Sequence, residues 1–288
     1  MKLLAFIDHL AAPDATTPAT RRASLARLAQ AGWRTAAAAV PAALLPSTPA
    51  AAGALNTSLD AVLLLLQLAR TQADLYTQGL AVSGLIPTAQ VADFQTMQAQ
   101  CQAHVALFAR ALNEGSATVP PAPVFDFSGR RGVAANPTLF PGVLTAYPQF
   151  LELTQQLADA GGRLCQGVLP ALYAQRLLHT AAIQLLPVES RHASHLRTLR
   201  RNQGAVVKNW PTAGFPALTP TPPAALVAAT SLGEEIERQL IGNNVPIPFP
   251  KLLAIFDGNA VQASAVAEAF DEPITPAVAQ AALDLFVV

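Results

Sequence analysis

Glu189 and His192 stand three residues apart in the run Val188-Glu189-Ser190-Arg191-His192-Ala193. At i and i+3 of a helix they share one face. A carboxylate and an imidazole so placed form the ligand pair that helical bundles present to dinuclear metal centres. Chance matches to a single pair of this kind are frequent. What adds weight is His104, at comparable depth in an earlier helical stretch. Three residues before it, where a second Glu-x-x-His needs its glutamate, stands Cys101. His104, Glu189 and His192 make a set of two imidazoles and one carboxylate, suited to Fe(II) or to zinc with an open position. Cys101 adds a soft fourth donor that favours Zn or Cu. The alternative is a metal-free, hydrogen-bonded Glu–His pair. An isolated ionised glutamate is costly in an apolar bundle, so His192 or Arg191 then has to satisfy Glu189.

Other reactive residue types resolve to structural roles. His179 lies more than three helical turns before His192, too far to join it, and His195 is expected near the surface edge. Arg197, Arg200 and Arg201 close the same helix, where cations suit the C-terminal dipole. Cys165 is axially removed from Cys101, so no disulfide is expected between them. No Ser–His–Asp spacing and no glycine-rich phosphate loop is recognisable.

Four long helical segments must position these groups. The first covers about 57–82, with Thr57 or Ser58 as cap and an inward stripe of Val62, Leu65, Leu66, Ala69, Gln72 or Ala73, Tyr76 and Leu80 at helical spacing. The second follows Pro87, with Thr88 as cap, and ends near Gly115. The third covers about 148–168, weakened in its middle by Gly161-Gly162. The fourth covers about 171–201 and is kinked at Pro187. The first two are joined by a few residues, as are the last two, which predicts antiparallel neighbours. Between the second and third lie about 32 residues, 116–147, rich in Pro and Gly. A loop of that length needs a reason, and an all-α four-helix bundle with one long crossover supplies it. The expected core includes Val62, Leu65, Tyr76, His104, Leu157 and Leu185. Beyond residue 202 a Pro-rich connector leads to short helices expected at about 231–241, 260–270 and 275–286, packed on the bundle. The division is thus 1–52, 53–202 and 203–288.

Composition narrows the function classes. The 18 basic and 18 acidic residues cancel among 288, so a nucleic-acid-binding surface is not supported. Two cysteines exclude a disulfide scaffold and a four-cysteine zinc site. Charged residues are only 12%, so each buried Glu or His needs an explanation. No transmembrane helix is expected: the charge-free run 35–59 is broken by three prolines, and 61–69 is too short.

The N-terminus carries Arg21-Arg22 ahead of an Ala-rich apolar run and the small residues of PSTPAAA at 46–52. That order reads as an export signal of the twin-arginine type, directing the protein to the periplasm or outside the cell. If this segment is kept as an ordinary helix, the protein is cytoplasmic.

Five separated stretches resemble a known family. Residues 68–76 (LARTQADLY), 104–108 (HVALF), 123–129 (PVFDFSG), 188–193 (VESRHA) and 269–275 (AFDEPIT) occur in the order found in bacterial ferritin-like proteins related to desiccation-associated and stress proteins. The resemblance implies a ferritin-like bundle and a di-iron site that is eroded here. The family's first-helix glutamate falls on Ala69, with Gln72 where a second acidic residue often stands. Its second-helix glutamate falls on Cys101, and its third-helix glutamate on Ala158, with Asp159 and Gly161 retained. Only Glu189, His192 and His104 survive. Two readings follow: a non-enzymatic structural, stress-related or assembly-forming protein, with a homo-oligomer expected and no metal, or a metalloprotein holding one Fe or Zn, or a residual di-metal centre, as an oxidase, peroxide scavenger or iron binder.

The mature protein from its native host is expected to start near Ala52. N-terminal sequencing of fractionated cells checks this; a cytoplasmic protein starting at Met1 refutes it.

Overall fold

Thr57 opens the first helix, α1 (Ser58–Ala81). Its hydroxyl accepts from the Asp60 amide (3.2 Å) and donates to the Asp60 carboxylate (2.7 Å), placing an acid at the positive end of the helix dipole. A computed structural model of the protein describes residues 57–212, 222–230, 238–241, 245–248 and 271–288. The export segment and the helix expected at 260–270 lie outside the described residues.

A single 3₁₀ turn, Thr88–Gln90, leads into α2 (Val91–Glu114), so Thr88 does not cap α2 directly. α3 spans Tyr147–Gly167 with Pro148 in its first turn, where a missing N–H costs nothing. Gly161-Gly162 does not interrupt it. The fourth segment is two helices, not one: a turn, α4 (Leu169–Leu172), and then α5 (Arg176–Asn202), which continues through Pro187.

Side-chain partners fix the helix directions. Gln72 meets Cys101 and Thr77 meets Gln98, so one number rises as the other falls and α1 and α2 run antiparallel. Asp159–Arg197 and Gln155–Arg200 do the same for α3 and α5. Gln72 reaches Leu157 while Gly79 lies under the Phe150 ring, so α1 opposes α3. α2 and α3 therefore run parallel, which is the arrangement that a long crossover makes possible. That crossover, residues 115–146, is stapled by Asp126, which accepts from Ser128 and Gly132.

Val62, Leu65, Tyr76, Leu157 and Leu185 are buried as expected, whereas His104 is only half-buried. α3 is enclosed almost all round, from Phe150 to Cys165. Its extra cover comes from α6 (Ala224–Thr230) and α7 (Pro276–Leu283), the latter capped by Thr275 with Pro276 in its first turn. Of the helix expected at 231–241, residues 231–237 lie outside the described residues, and Arg238–Ile241 are instead a strand, β1, paired antiparallel with β2, Val245–Pro248. The β-branched and proline-rich composition of 241–250 suits an extended hairpin better than a helix. Apart from this hairpin the architecture is all-α, and no helix among the described residues is long and apolar enough to cross a membrane.

The C-terminal segment is tied to the bundle at two places. Phe286 packs on Phe127 and Phe140 of the crossover, with ring centroids 5.5 and 5.0 Å apart. The buried Arg163 donates to the Glu272 carbonyl at 2.8 Å, with the Asp271 carboxylate 3.4 Å away, and the Ile274 amide bonds the Arg163 carbonyl. Two acids thus neutralise an arginine that would otherwise be an uncompensated buried charge.

Gly167 lies directly under the Ile274 carbonyl, which a Cβ would overlap. Backbone cannot swing aside as a side chain can, so Gly167→Ala is expected to cost about 1–3 kcal/mol and to loosen the C-terminal segment first. Chemical denaturation and amide exchange at residues 271–288 test this; a variant as stable as the parent refutes it.

Candidate metal centre

Glu189 has no solvent exposure, and all four long helices contribute to its surroundings. α1 supplies Gln72, whose amide donates to Glu189 Oε2 at 2.6 Å and to the Leu157 carbonyl of α3 at 3.2 Å. α2 supplies His104, with Nδ1 4.0 Å from Glu189 Oε1, and Cys101, whose thiol donates to Gln72 Oε1 at 3.7 Å. α3 supplies Gly161. A Cβ there would stand 2.7 Å from Glu189 Oε2 and 3.2 Å from Gln72 Nε2, so the absent side chain is the room in which the carboxylate lies. α5 supplies His192, with its Nε2 2.6 Å from Gln100 Oε1 on α2.

Of the residues expected to converge, His104 lies beside Glu189, Cys101 reaches Gln72 and His192 is bonded to Gln100, and the partner that satisfies the carboxylate differs from the one expected. Neither Arg191 nor His192 bonds Glu189; Gln72 does. Glu189 Oε1, His104 Nδ1, His192 Nδ1 and the Tyr76 hydroxyl are buried with no hydrogen-bond partner. Ala69 and Ala158 are buried in the same core.

Electrostatics follow from burial. Desolvation lifts the Glu189 carboxyl to about 7, against the opposing pull of the Gln72 amide. It pushes His104 down to about 4 and His192 likewise, the latter aided by His104, Arg191 and His195. Burial also raises the Cys101 thiol and the Tyr76 phenol well above their usual ranges, Glu189 adding to both. Near neutral pH this is a cluster of uncharged groups around a carboxyl close to its midpoint.

Two divalent ions need several anionic oxygens, and the donors present do not fit a dinuclear centre. Glu189 is the one carboxylate in this cluster, and an amide N–H points at one of its oxygens where a cation would have to sit. Asp159, the retained acid of α3, is spoken for: Arg197 donates to it at 2.7 Å and Gln155 at 2.8 Å, both inside the protein. Among the described residues no three His, Cys, Asp or Glu side chains lie close enough together to hold a metal. Glu189 Oε1, His104 Nδ1 and His192 Nδ1 are unpartnered, yet as placed they do not form such a group.

Arg197 and Arg200 are not dipole-capping surface cations. They are buried, Arg200 donating to Gln155 Oε1 at 2.7 Å, and they form the polar seam between α3 and α5. Arg201 alone of the three is exposed, bonded to Asn209. His195 lies at the edge as expected, paired with Asp93 at 3.2 Å. Cys101 and Cys165 are both buried and free. The sequence reading missed Gln72 as the carboxylate's partner. Its place on the inward stripe of α1 was the available signal, since a buried amide must find a partner.

A family model described as a ferritin-like domain matches residues 57–202, from the Thr57 cap to the end of α5. No curated protein and no solved structure matches at a significant level.

The raised Glu189 carboxyl destabilises the fold progressively as pH rises from about 4.5 to 7, because the native state then holds a proton that the unfolded state has released. The depressed histidines act oppositely, so that stability falls as pH drops from 6.5 toward 4. Glu189→Gln keeps an acceptor for Gln72 and offers an N–H toward His104. It is expected to be more stable than the parent at pH 8 by up to about 3 kcal/mol, with the gain fading toward pH 5. Urea denaturation at the two pH values checks this; a variant less stable at pH 8 shows that the ionised carboxylate is compensated.

Proposed function

The chain belongs to the ferritin-like domain family, and we propose that within it the protein is a non-enzymatic member with a degenerate metal site, acting as a structural or assembly-forming protein. The observation that carries this reading is the Gln72–Glu189 hydrogen bond. Where a ferritin-like centre has cations between carboxylates, this chain has an amide donor against its one central carboxylate. The replaced positions Ala69, Cys101 and Ala158 remove three further anionic ligands, and Gly161 lets Glu189 fold back toward Gln72. Such a centre orders the bundle through hydrogen bonds and supplies no electrons. The resemblance to desiccation-associated and stress proteins supports a stress-related role, and the Arg21-Arg22 segment supports export. Homo-oligomerisation fits the low charge and Ala-rich helices.

A second reading has one observation in its favour, the unpartnered Glu189 Oε1, His104 Nδ1 and His192 Nδ1. These three would have to draw closer together than they stand to hold one Fe or Zn ion, which would bring Lewis-acid or redox chemistry. The chain's own contribution would be to position it: Gln72 holding the second Glu189 oxygen and the apolar core excluding water.

Metal analysis of protein purified without chelator separates the two. The first reading expects well under 0.1 metal per chain, with no change on His104→Ala; stoichiometric metal lost in His104→Ala overturns it. Gln72→Glu places a second carboxylate against Glu189, so it is expected to lower stability without metal and to recover it when Fe(II) or Zn(II) is added. Recovery absent at saturating metal, in a folded variant, counts against the site's register.

A further inference from the structure

α1, the Pro-rich start of the crossover and α7 line a groove of about 660 Å³. Its floor is apolar, with Leu63, Leu64, Pro121 and Val287, and its rim carries Asp60 and Asp284. Neither carboxylate meets a cation among the described residues: Asp60 bonds the Thr57 hydroxyl, and Asp284 accepts from Gln67 and Gln280. The groove's own cation, Arg70, is turned away onto the Pro120 and Pro121 carbonyls. An apolar floor between two uncompensated carboxylates suits an occupant with apolar side chains flanked by cations.

The same chain carries such a segment. Residues 21–34 (RRASLARLAQAGWR) hold Arg21, Arg22, Arg27 and Arg34 around Leu25, Leu28 and Trp33, and no Asp or Glu occurs from residue 15 to residue 59. The chain enters the described structure at Thr57, three residues from Asp60 at the groove's end. The 22 residues between Arg34 and Thr57 span up to roughly 70 Å when extended, against about 15 Å for the α1 stretch lining the groove, so reach is no obstacle. Tethering on this scale supplies an effective concentration on the order of millimolar, so weak docking suffices.

We infer that the groove between α1, residues 120–123 and α7 is a docking site for residues 21–34 of the same chain while they remain attached, with Leu25 and Leu28 on the apolar floor and the arginines at Asp60 and Asp284. The volume accommodates a few side chains, not the whole segment. Docking in this way holds the paired arginines against the folded bundle, so the bundle controls their accessibility. This is independent of whether any metal binds Glu189.

The full-length chain tests it directly. Trp33 and Trp210 are the two tryptophans, so Trp210→Phe leaves Trp33 as the sole emitter. In that background Asp60→Asn/Asp284→Asn is expected to red-shift Trp33 and to speed tryptic cleavage at residues 21–34 by roughly five- to tenfold, the loss expected for two weak charge pairs. Leu63→Glu should do the same. Leu25→Ser/Leu28→Ser, which leaves the bundle untouched, should reproduce the emission shift and guards against a groove variant that misfolds. Unchanged emission and cleavage across these variants overturn the proposal. So does a result in which Leu63→Glu abolishes a concentration-dependent association instead, for the groove then receives a second copy.

Discussion

A carboxyl group with no access to water must be satisfied by what the surrounding helices bring to it, and the centre of this bundle is organised around that requirement. Gln72 from α1 bonds Glu189 of α5, Cys101 from α2 bonds Gln72, and Gly161 of α3 leaves the space in which both lie. These contacts join all four long helices at one level. A bundle packed with aliphatic side chains alone could slide or rotate with little loss; a polar contact in the core is satisfied in one register only. Uncharged groups around a carboxyl near its midpoint are a different solution from the charge balance that metals and several carboxylates provide.

The second polar layer follows the same logic with charges retained. α3 is buried nearly all round yet carries Glu152, Gln155, Gln156, Asp159 and Arg163. It tolerates them because they are partnered: Gln156 donates to Glu152 within α3, and Gln155, Asp159 and Arg163 meet neighbouring elements. Arg197 and Arg200 come from α5, and Asp271-Glu272 come from the C-terminal segment. Loss of one partner in such a seam costs more than the pair contributes, since the other charge is left buried. The C-terminal stretch is consequently part of the core of the bundle: it covers α3, closes over Arg163 and stacks Phe286 on the crossover.

The ferritin-like fold and the central polar cluster rest on different residues. The topology depends on apolar stripes, the hairpin connections and the crossover, none of which includes a ligand. The centre is a handful of side chains in the interior, with Ala69, Cys101 and Ala158 buried around it. Hydrogen bonding and desolvation by the surrounding helices shift the protonation of Glu189 and the two histidines.

The sequence by itself determined the helices, their order and their pairing. Apolar spacing of 3.6 residues, the Thr57 cap and the long Pro/Gly stretch at 116–147 are local signals, and connection length restricts which helices can be neighbours. It also singled out Glu189, His104 and Cys101, because polar residues on an inward stripe are conspicuous in so uncharged a chain. It misjudged residues 238–241, the continuity of the fourth segment and the roles of Arg197 and Arg200, where local patterns permit more than one outcome. The tertiary structure alone decided that Gln72 bonds Glu189, that Gly161 is required by the carboxylate rather than by a turn, and that Asp159 belongs to Arg197. These are contacts between residues 28 to 117 positions apart, chosen by how helix faces rotate against one another. Helical periodicity says which residues face inward; only packing of one ridge against another says which of them meet.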